Sequence, residues 1–186
     1  MPSRIGWTTE TWNPVTGCSH VSPGCEHCYA ETISLRFGWS KKPWLLQYEK
    51  ENIVLHPERL DIPLRWKRPR RIFVNSMSDL FHKGISLSFV EAVWKVMHEA
   101  HERYGHIFQV LTKRPRRMLT ALGPRGFGWY AIEAPVPHPE PGIWLGVSVE
   151  DQRRANERLP LLLRTPAIGR FVSLEPLLGS INLSAF

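Results

Sequence analysis

The only three cysteines of this chain stand within eleven residues, at Cys18, Cys25 and Cys28. Spaced as C-x6-C-x2-C, they can bring three thiolates to one point. Being odd in number, they cannot all pair as disulfides. A structural zinc site is normally closed by four protein ligands, whereas an iron–sulfur cubane that does chemistry can leave one iron open. Gly17, Pro23 and Gly24 supply turns beside and between the cysteines. Cys25 and Cys28 fall just ahead of a helical pattern over 28–37, and the first amides of a helix can hydrogen-bond cluster sulfides. Zinc is the competing reading, because C-x2-C is a common zinc half-site and His20, His27 or His56 could complete a Cys3His set. Spacing alone leaves the two metals open.

The elements that must position these thiols read as α/β. Short β-branched and aromatic runs at 71–79, 106–113, 142–151 and 170–175 have the length and composition of buried strands. Between them, 86–104 carries Phe89, Val90, Val93, Trp94 and Met97 at helical spacing, with Ser86 or Ser88 as N-cap and Gly105 as stop. A shorter helix fits 115–122. Another opens at Asp151 and is expected to break or restart at Pro160. Strand–helix alternation implies parallel pairing with crossovers of one hand. Functional groups in such folds collect where strands end. Those positions hold Asn75, Ser76, Ser78 and Asp79, then Thr112 and Lys113, then Ser148, Glu150 and Asp151, then Ser173 and Glu175. Helix capping explains one or two of them, and Asp151 is the best cap. Four polar strand ends on one face tip the cysteines toward a catalytic cluster rather than structural zinc.

A chain of 186 residues with 42% hydrophobic content can bury one core, so a single domain over 1–186 is expected. Within it lie a cysteine loop at 12–30 and a Pro- and Gly-rich irregular insertion at 123–142. No apolar run approaches a membrane span and the opening residues lack a signal-peptide core. Together with the odd cysteine count, this points to a cytoplasmic, reducing setting without membrane attachment. The formal charge of +7 and a pI near 9.7 favour nucleic acid or phosphorylated partners. Trp7, Trp12, Trp39 and Trp44 flank the cysteines and could shield a cofactor from water, although core packing explains aromatics more often.

A compact three-cysteine loop ahead of a (β/α) pattern resembles the radical S-adenosylmethionine superfamily. More narrowly, 12–18, 22–30 and 73–82 resemble a phage and prophage family of unknown function known for its three-cysteine, radical-SAM-like motif. The likeness extends through 111–115, 146–150 and 173–176. It implies a partial TIM-like barrel of parallel strands, truncated at its C-terminus, open on one edge and completed by a partner protein. It further implies that Cys18, Cys25 and Cys28 each ligate one iron of a [4Fe–4S] cluster. The fourth iron would chelate S-adenosylmethionine, whose reductive cleavage gives a 5′-deoxyadenosyl radical. On that reading His27 stacks on adenine, and Ser76, Ser78 and Asp79 face the methionine end. Ser148, Glu150, Ser173 and Glu175 serve ribose or substrate. The superfamily spacing is C-x3-C-x2-C, so the first loop here is longer. The alternative class is a zinc-stabilised, non-catalytic nucleic-acid-binding module.

The string Lys-Arg-Pro-Arg-Arg occurs at 67–71 and again at 113–117. The first precedes a strand and the second follows one, so a parallel sheet puts them at opposite ends. Lys113 and Arg114 fall at the functional end and could hold a substrate phosphate. The first string reads as a solvated loop. His98, His101 and His106 read as surface residues, and His20 and His56 as near the cysteines by chance.

Overall fold

The computed structural model describes residues 5–123, 126 and 139–186, so most of the expected insertion at 123–142 lies outside the described residues. Along the chain run β1 (Glu10–Trp12), β2 (Val15–Thr16), α1 (Tyr29–Arg36), α2 (Glu49–Asn52), β3 (Val54–Leu55) and α3 (Ile62–Arg65). There follow β4 (Arg71–Val74), α4 (Leu87–Tyr104), β5 (Ile107–Thr112), α5 (Pro115–Leu122), β6 (Ile143–Ser148), α6 (Gln152–Arg164) and β7 (Gly169–Ser173). The four apolar runs of the second half become β4 to β7. They pair in sequence order, all parallel, and β1 adds beside β4 to make a five-stranded sheet.

Alternation along the strands divides the two faces. Ile72, Val74, Phe108, Val110, Ile143, Leu145 and Val147 are buried in one core with Val90, Val93, Trp94 and Met97 of α4, Met118 and Ala121 of α5, and Ala155, Leu159 and Leu162 of α6. Helices α4, α5 and α6 therefore share one face of the sheet. Each fully buried Val, Leu, Ile, Phe or Met among them contributes about 1.5–3 kcal/mol. Ser86 caps α4 by accepting from the Phe89 amide at 3.2 Å, and Gly105 closes it in the left-handed region at φ 68°. The opposite face carries Phe73, Gln109 and Trp144 in one cross-strand row and Leu111, Gly146 and Phe171 in the next.

Two expectations need correction. Helix α6 runs unbroken through Pro160, and both Pro160 and Asn156, the residue one turn before it, are exposed. The stretch at 57–63 forms a 3-10 turn at Pro57–Arg59 and then enters α3. His106 is fully buried, with Nε2 3.1 Å from the carbonyls of Pro63 and Trp66 and Nδ1 accepting from the Arg70 amide at 3.2 Å. It fastens the segment before β4 to the start of β5.

The first basic string is likewise engaged: Lys67 donates to Tyr104 at 2.7 Å and Arg70 pairs with Glu10. Among the described residues, no helix is long and apolar enough to cross a membrane.

Candidate functional site

The cysteine loop is anchored at its base. Strands β2 and β3 pair antiparallel, and Gly17 follows β2 at φ 83°. A Cβ there would stand 1.8 Å from the Asn52 carbonyl oxygen, so only glycine lets the two backbones approach. The Gly17 amide donates to the Met77 carbonyl at 3.0 Å, which sets Cys18 beside the segment that leaves β4. Pro23–Cys25 is a 3-10 turn, and Cys28 is the N-cap residue of α1. Glu31 of α1 accepts from the Trp44 amide at 2.7 Å and lies 2.5 Å from His20 Nε2, which ties α1 to the following loop.

All three thiols line one cavity of about 130 Å³ at the carboxyl ends of β4, β5 and β6. Asn75, Ser76, Ser78, Asp79, Lys113, Arg114 and Ser148 line the same cavity. The cavity thus brings together the three cysteines and seven of the polar residues expected at the strand ends. Among the described residues, no group of three His, Cys, Asp or Glu side chains is arranged, as it stands, to hold a metal ion.

One guanidinium organises the floor. Arg114 Nη1 donates to Asp79 Oδ2 at 2.9 Å and to Cys18 Sγ at 3.4 Å, while Nη2 donates to the Ser19 carbonyl at 2.7 Å. Asp79 also accepts from Thr112 Oγ1 at 2.7 Å and from the amides of Phe81 and Lys113. Burial alone would raise the Asp79 pKa, but the Arg114 charge and these donors outweigh it and hold the carboxyl below its usual range. His82 Nδ1 accepts from the Gly84 amide at 2.9 Å, so Nε2 carries the proton toward Ser19 Oγ at 2.8 Å. Burial, reinforced by Arg114, depresses its pKa to about 4 and keeps it neutral.

Burial pushes the Cys18 thiol up to about 12 against the pull of Arg114. It also raises Cys28, against donation from the Glu31 and Ala30 amides. Both are therefore thiols at neutral pH, and a metal binding there must release their protons.

The groups left free to meet a ligand differ from those the strand ends suggested. Ser76 Oγ bonds the Asn13 side chain at 3.1 Å, Ser78 Oγ donates to the Val15 carbonyl at 2.9 Å, and Asp79 is fully engaged. Asn75 is the exception. It is 2% exposed, at φ 62°, and both polar atoms of its amide are buried with no hydrogen-bond partner among the described residues. Among the described residues, Lys113 Nζ and Ser148 Oγ also make no hydrogen bond.

Four expected residues fall outside the cavity. His27 is exposed. Glu150 is buried, with its carboxylate bridged to Arg158 at 2.9 Å and packed beneath Gly24. Ser173 and Glu175 line a separate cavity with Trp7 and Trp144. Sequence reasoning did not single out Ser19 and His82, which position Arg114. A buried histidine shortly after a strand end was the available signal. Of the flanking tryptophans, Trp44 lines the cysteine cavity, Trp12 is core and Trp39 is exposed.

A cationic groove of about 440 Å³ adjoins the site and shares Ser19, His20, Lys113 and Arg114 with it. Of its seven cations, Lys83, Arg114, Arg154 and Arg158 have carboxylate partners. Arg117 donates only to the carbonyls of His82 and Ile85. Lys113, Arg116 and Arg117 thus carry the surplus charge. Arg114, expected at a substrate phosphate, lines the groove and is paired with Asp79.

These observations define an α/β protein with a parallel sheet and a three-thiol cavity at the carboxyl ends of its strands. The chain belongs to the family described as protein of unknown function (DUF5131), which it matches over residues 2–186. No curated protein and no solved structure matches it.

Proposed function

We propose that this chain is a radical-SAM-like iron–sulfur enzyme on a partial (β/α) barrel, acting on a nucleotide or nucleic acid. One observation carries the reading: three thiols and the unpartnered amide of Asn75 face a single cavity at the carboxyl ends of parallel strands. Cys18, Cys25 and Cys28 would hold a [4Fe–4S] cluster. The donor set fits, with three thiols, a guanidinium N–H on Cys18 and helix-start amides on Cys28. With S-adenosylmethionine bound, such a cluster supplies a 5′-deoxyadenosyl radical for hydrogen abstraction.

The chain's own residues bind, orient and exclude water. Arg114 fixes Cys18 against Asp79, and Lys113 lies close enough to Cys28 to favour its thiolate. Asn75 offers both an acceptor and a donor to the polar end of a ligand. The cavity's 130 Å³ is below the roughly 300–1,000 Å³ usual for small-molecule pockets. A cofactor there must extend into the adjoining groove or part the cysteine loop. The uncompensated cations of that groove supply the preference for phosphate. A partner completing the sheet would add at β1 or β7, the two ends of the strand order. Free thiols fit a cytoplasmic setting.

The alternative, a zinc-stabilised nucleic-acid-binding module, would draw on His20, whose Nε2 already meets Glu31. Purification without oxygen, followed by iron, acid-labile sulfide and zinc assays, separates the two. The expected result is about four irons per chain, lost in Cys18→Ala, Cys25→Ala and Cys28→Ala. One zinc per chain with no sulfide would overturn the radical reading.

A further inference from the structure

On the sheet face away from the helices lies a second cavity, of about 480 Å³, within the usual range for a small-molecule pocket. Two glycines shape it. A Cβ at Gly146 would stand 2.5 Å from the Phe171 ring, and one at Gly169 would stand 2.8 Å from Trp144. Each aromatic ring therefore lies across the bare backbone of the neighbouring strand. Trp7 closes the wall, with its ring centroid 6.1 Å from Phe171 and 4.7 Å from Phe73. Phe73 itself lines the cysteine cavity, so the Trp7–Phe73 contact stands between the two spaces.

A single buried polar side chain interrupts this aromatic lining. Gln109 is 6% exposed, lines the cavity, and its Oε1 is buried with no hydrogen-bond partner among the described residues. An acceptor left so is destabilising, and a ligand N–H would satisfy it. Ser173 and Glu175 line the same cavity and bring a hydroxyl and a second acceptor. The complement of such a site is a planar ring with π-faces for the aromatics and N–H groups on its edge. A sugar lacks the faces, and a plain hydrocarbon ring lacks the donors.

We infer that this cavity binds a nucleobase of the substrate, stacked against the Trp144 and Phe171 rings and donating to Gln109 Oε1. Stacking on aromatic side chains is a general source of affinity for bases, and glutamine is suited to a two-point contact with a base edge. The choice of a substrate base rests on the proposed nucleotide or nucleic-acid substrate. The cavity itself needs neither cluster nor S-adenosylmethionine.

Calorimetric titration of the full chain as purified, without S-adenosylmethionine or reductant, tests this with cytidine, guanosine, adenosine and free ribose. Saturable binding of cytidine or guanosine, alone or beside adenosine, whose amino group also offers an N–H, is expected, with none for ribose, and at least tenfold weakening in Gln109→Leu. Gln109→Leu removes an unpaired polar atom, so its melting temperature should equal or exceed that of the parent. Trp144→Ala, at a side chain already 39% exposed, is a second variant expected to weaken binding. Binding confined to adenosine, the nucleoside part of S-adenosylmethionine, would overturn the assignment to substrate. Absence of saturation, or binding untouched by both variants, would overturn the site. A chain that carried zinc instead of iron would still give the titration, so the two proposals fail separately.

Discussion

Asn75 combines two unfavourable features at one position, a left-handed backbone and a buried amide with neither atom paired. A non-glycine residue in that conformation costs about 1–2 kcal/mol, less for asparagine than for most. The unpaired amide adds about 1–3 kcal/mol. Glycine would remove both, at a chain-entropy cost of about 0.5–1 kcal/mol. Asn75→Gly is therefore expected to raise stability by about 1 kcal/mol, read as a higher urea midpoint, while weakening S-adenosylmethionine binding. A less stable variant with unchanged binding would make Asn75 a structural residue. Such an exchange of stability for function is common at binding sites.

The same scale shows what the sequence could and could not say of the site. Three cysteines with no disulfide solution were legible from spacing. The positions of Ser76 and Ser78 were legible too, but not their roles. Which hydroxyl meets Asn13 or Val15, and which amide meets nothing, depends on how the cysteine loop folds back over the end of β4.

At the scale of elements, β4 to β7 were legible because each is a continuous apolar or β-branched run, and α4 because its cap, stripe and stop all agree. Strand β1 was missed because three residues carry no periodicity. Its place is fixed by long-range pairing of Glu10 with Ile72 and Trp12 with Val74. Pro160 misled for a different reason. A proline inside a helix removes one hydrogen bond and crowds the preceding turn, at about 3 kcal/mol in a helix interior. Tertiary packing of Ala155, Leu159 and Leu162 holds α6 together across it. Because Pro160 and Asn156 are exposed, Pro160→Ala should restore the amide–carbonyl bond without touching the core. Part of that gain is offset by the freer unfolded chain. Thermal or urea melts should show about 1 kcal/mol of added stability. A loss would mean that the proline fixes the exit of α6 toward β7.

For the whole molecule, the net charge of +7 matters less than where the unpaired part of it lies. The two copies of the basic string sit at opposite ends of the parallel sheet, as their order relative to β4 and β5 requires. The first is occupied by Tyr104 and Glu10. The second opens onto the groove beside the cysteine cavity, where Lys113, Arg116 and Arg117 have no carboxylate partner among the described residues. If a phosphodiester chain binds there, each cation that meets a phosphate releases a counterion. For a single strand, each contact adds about 0.7 to the slope of log affinity against log salt. Lys113→Ala and Arg116→Ala should each lower that slope by about this amount, measured with a single-stranded oligonucleotide by fluorescence anisotropy. Arg68→Ala, exposed at the far end of the sheet, should leave it unchanged. Equal losses from all three variants would mean diffuse attraction by the whole surface rather than a groove. Lys113 carries a second expectation, since its charge also bears on Cys28. Its removal should lower both the salt slope and iron occupancy, whereas removal of Arg116 should change the slope alone. That difference would show whether anion binding and the thiol site are coupled through one residue.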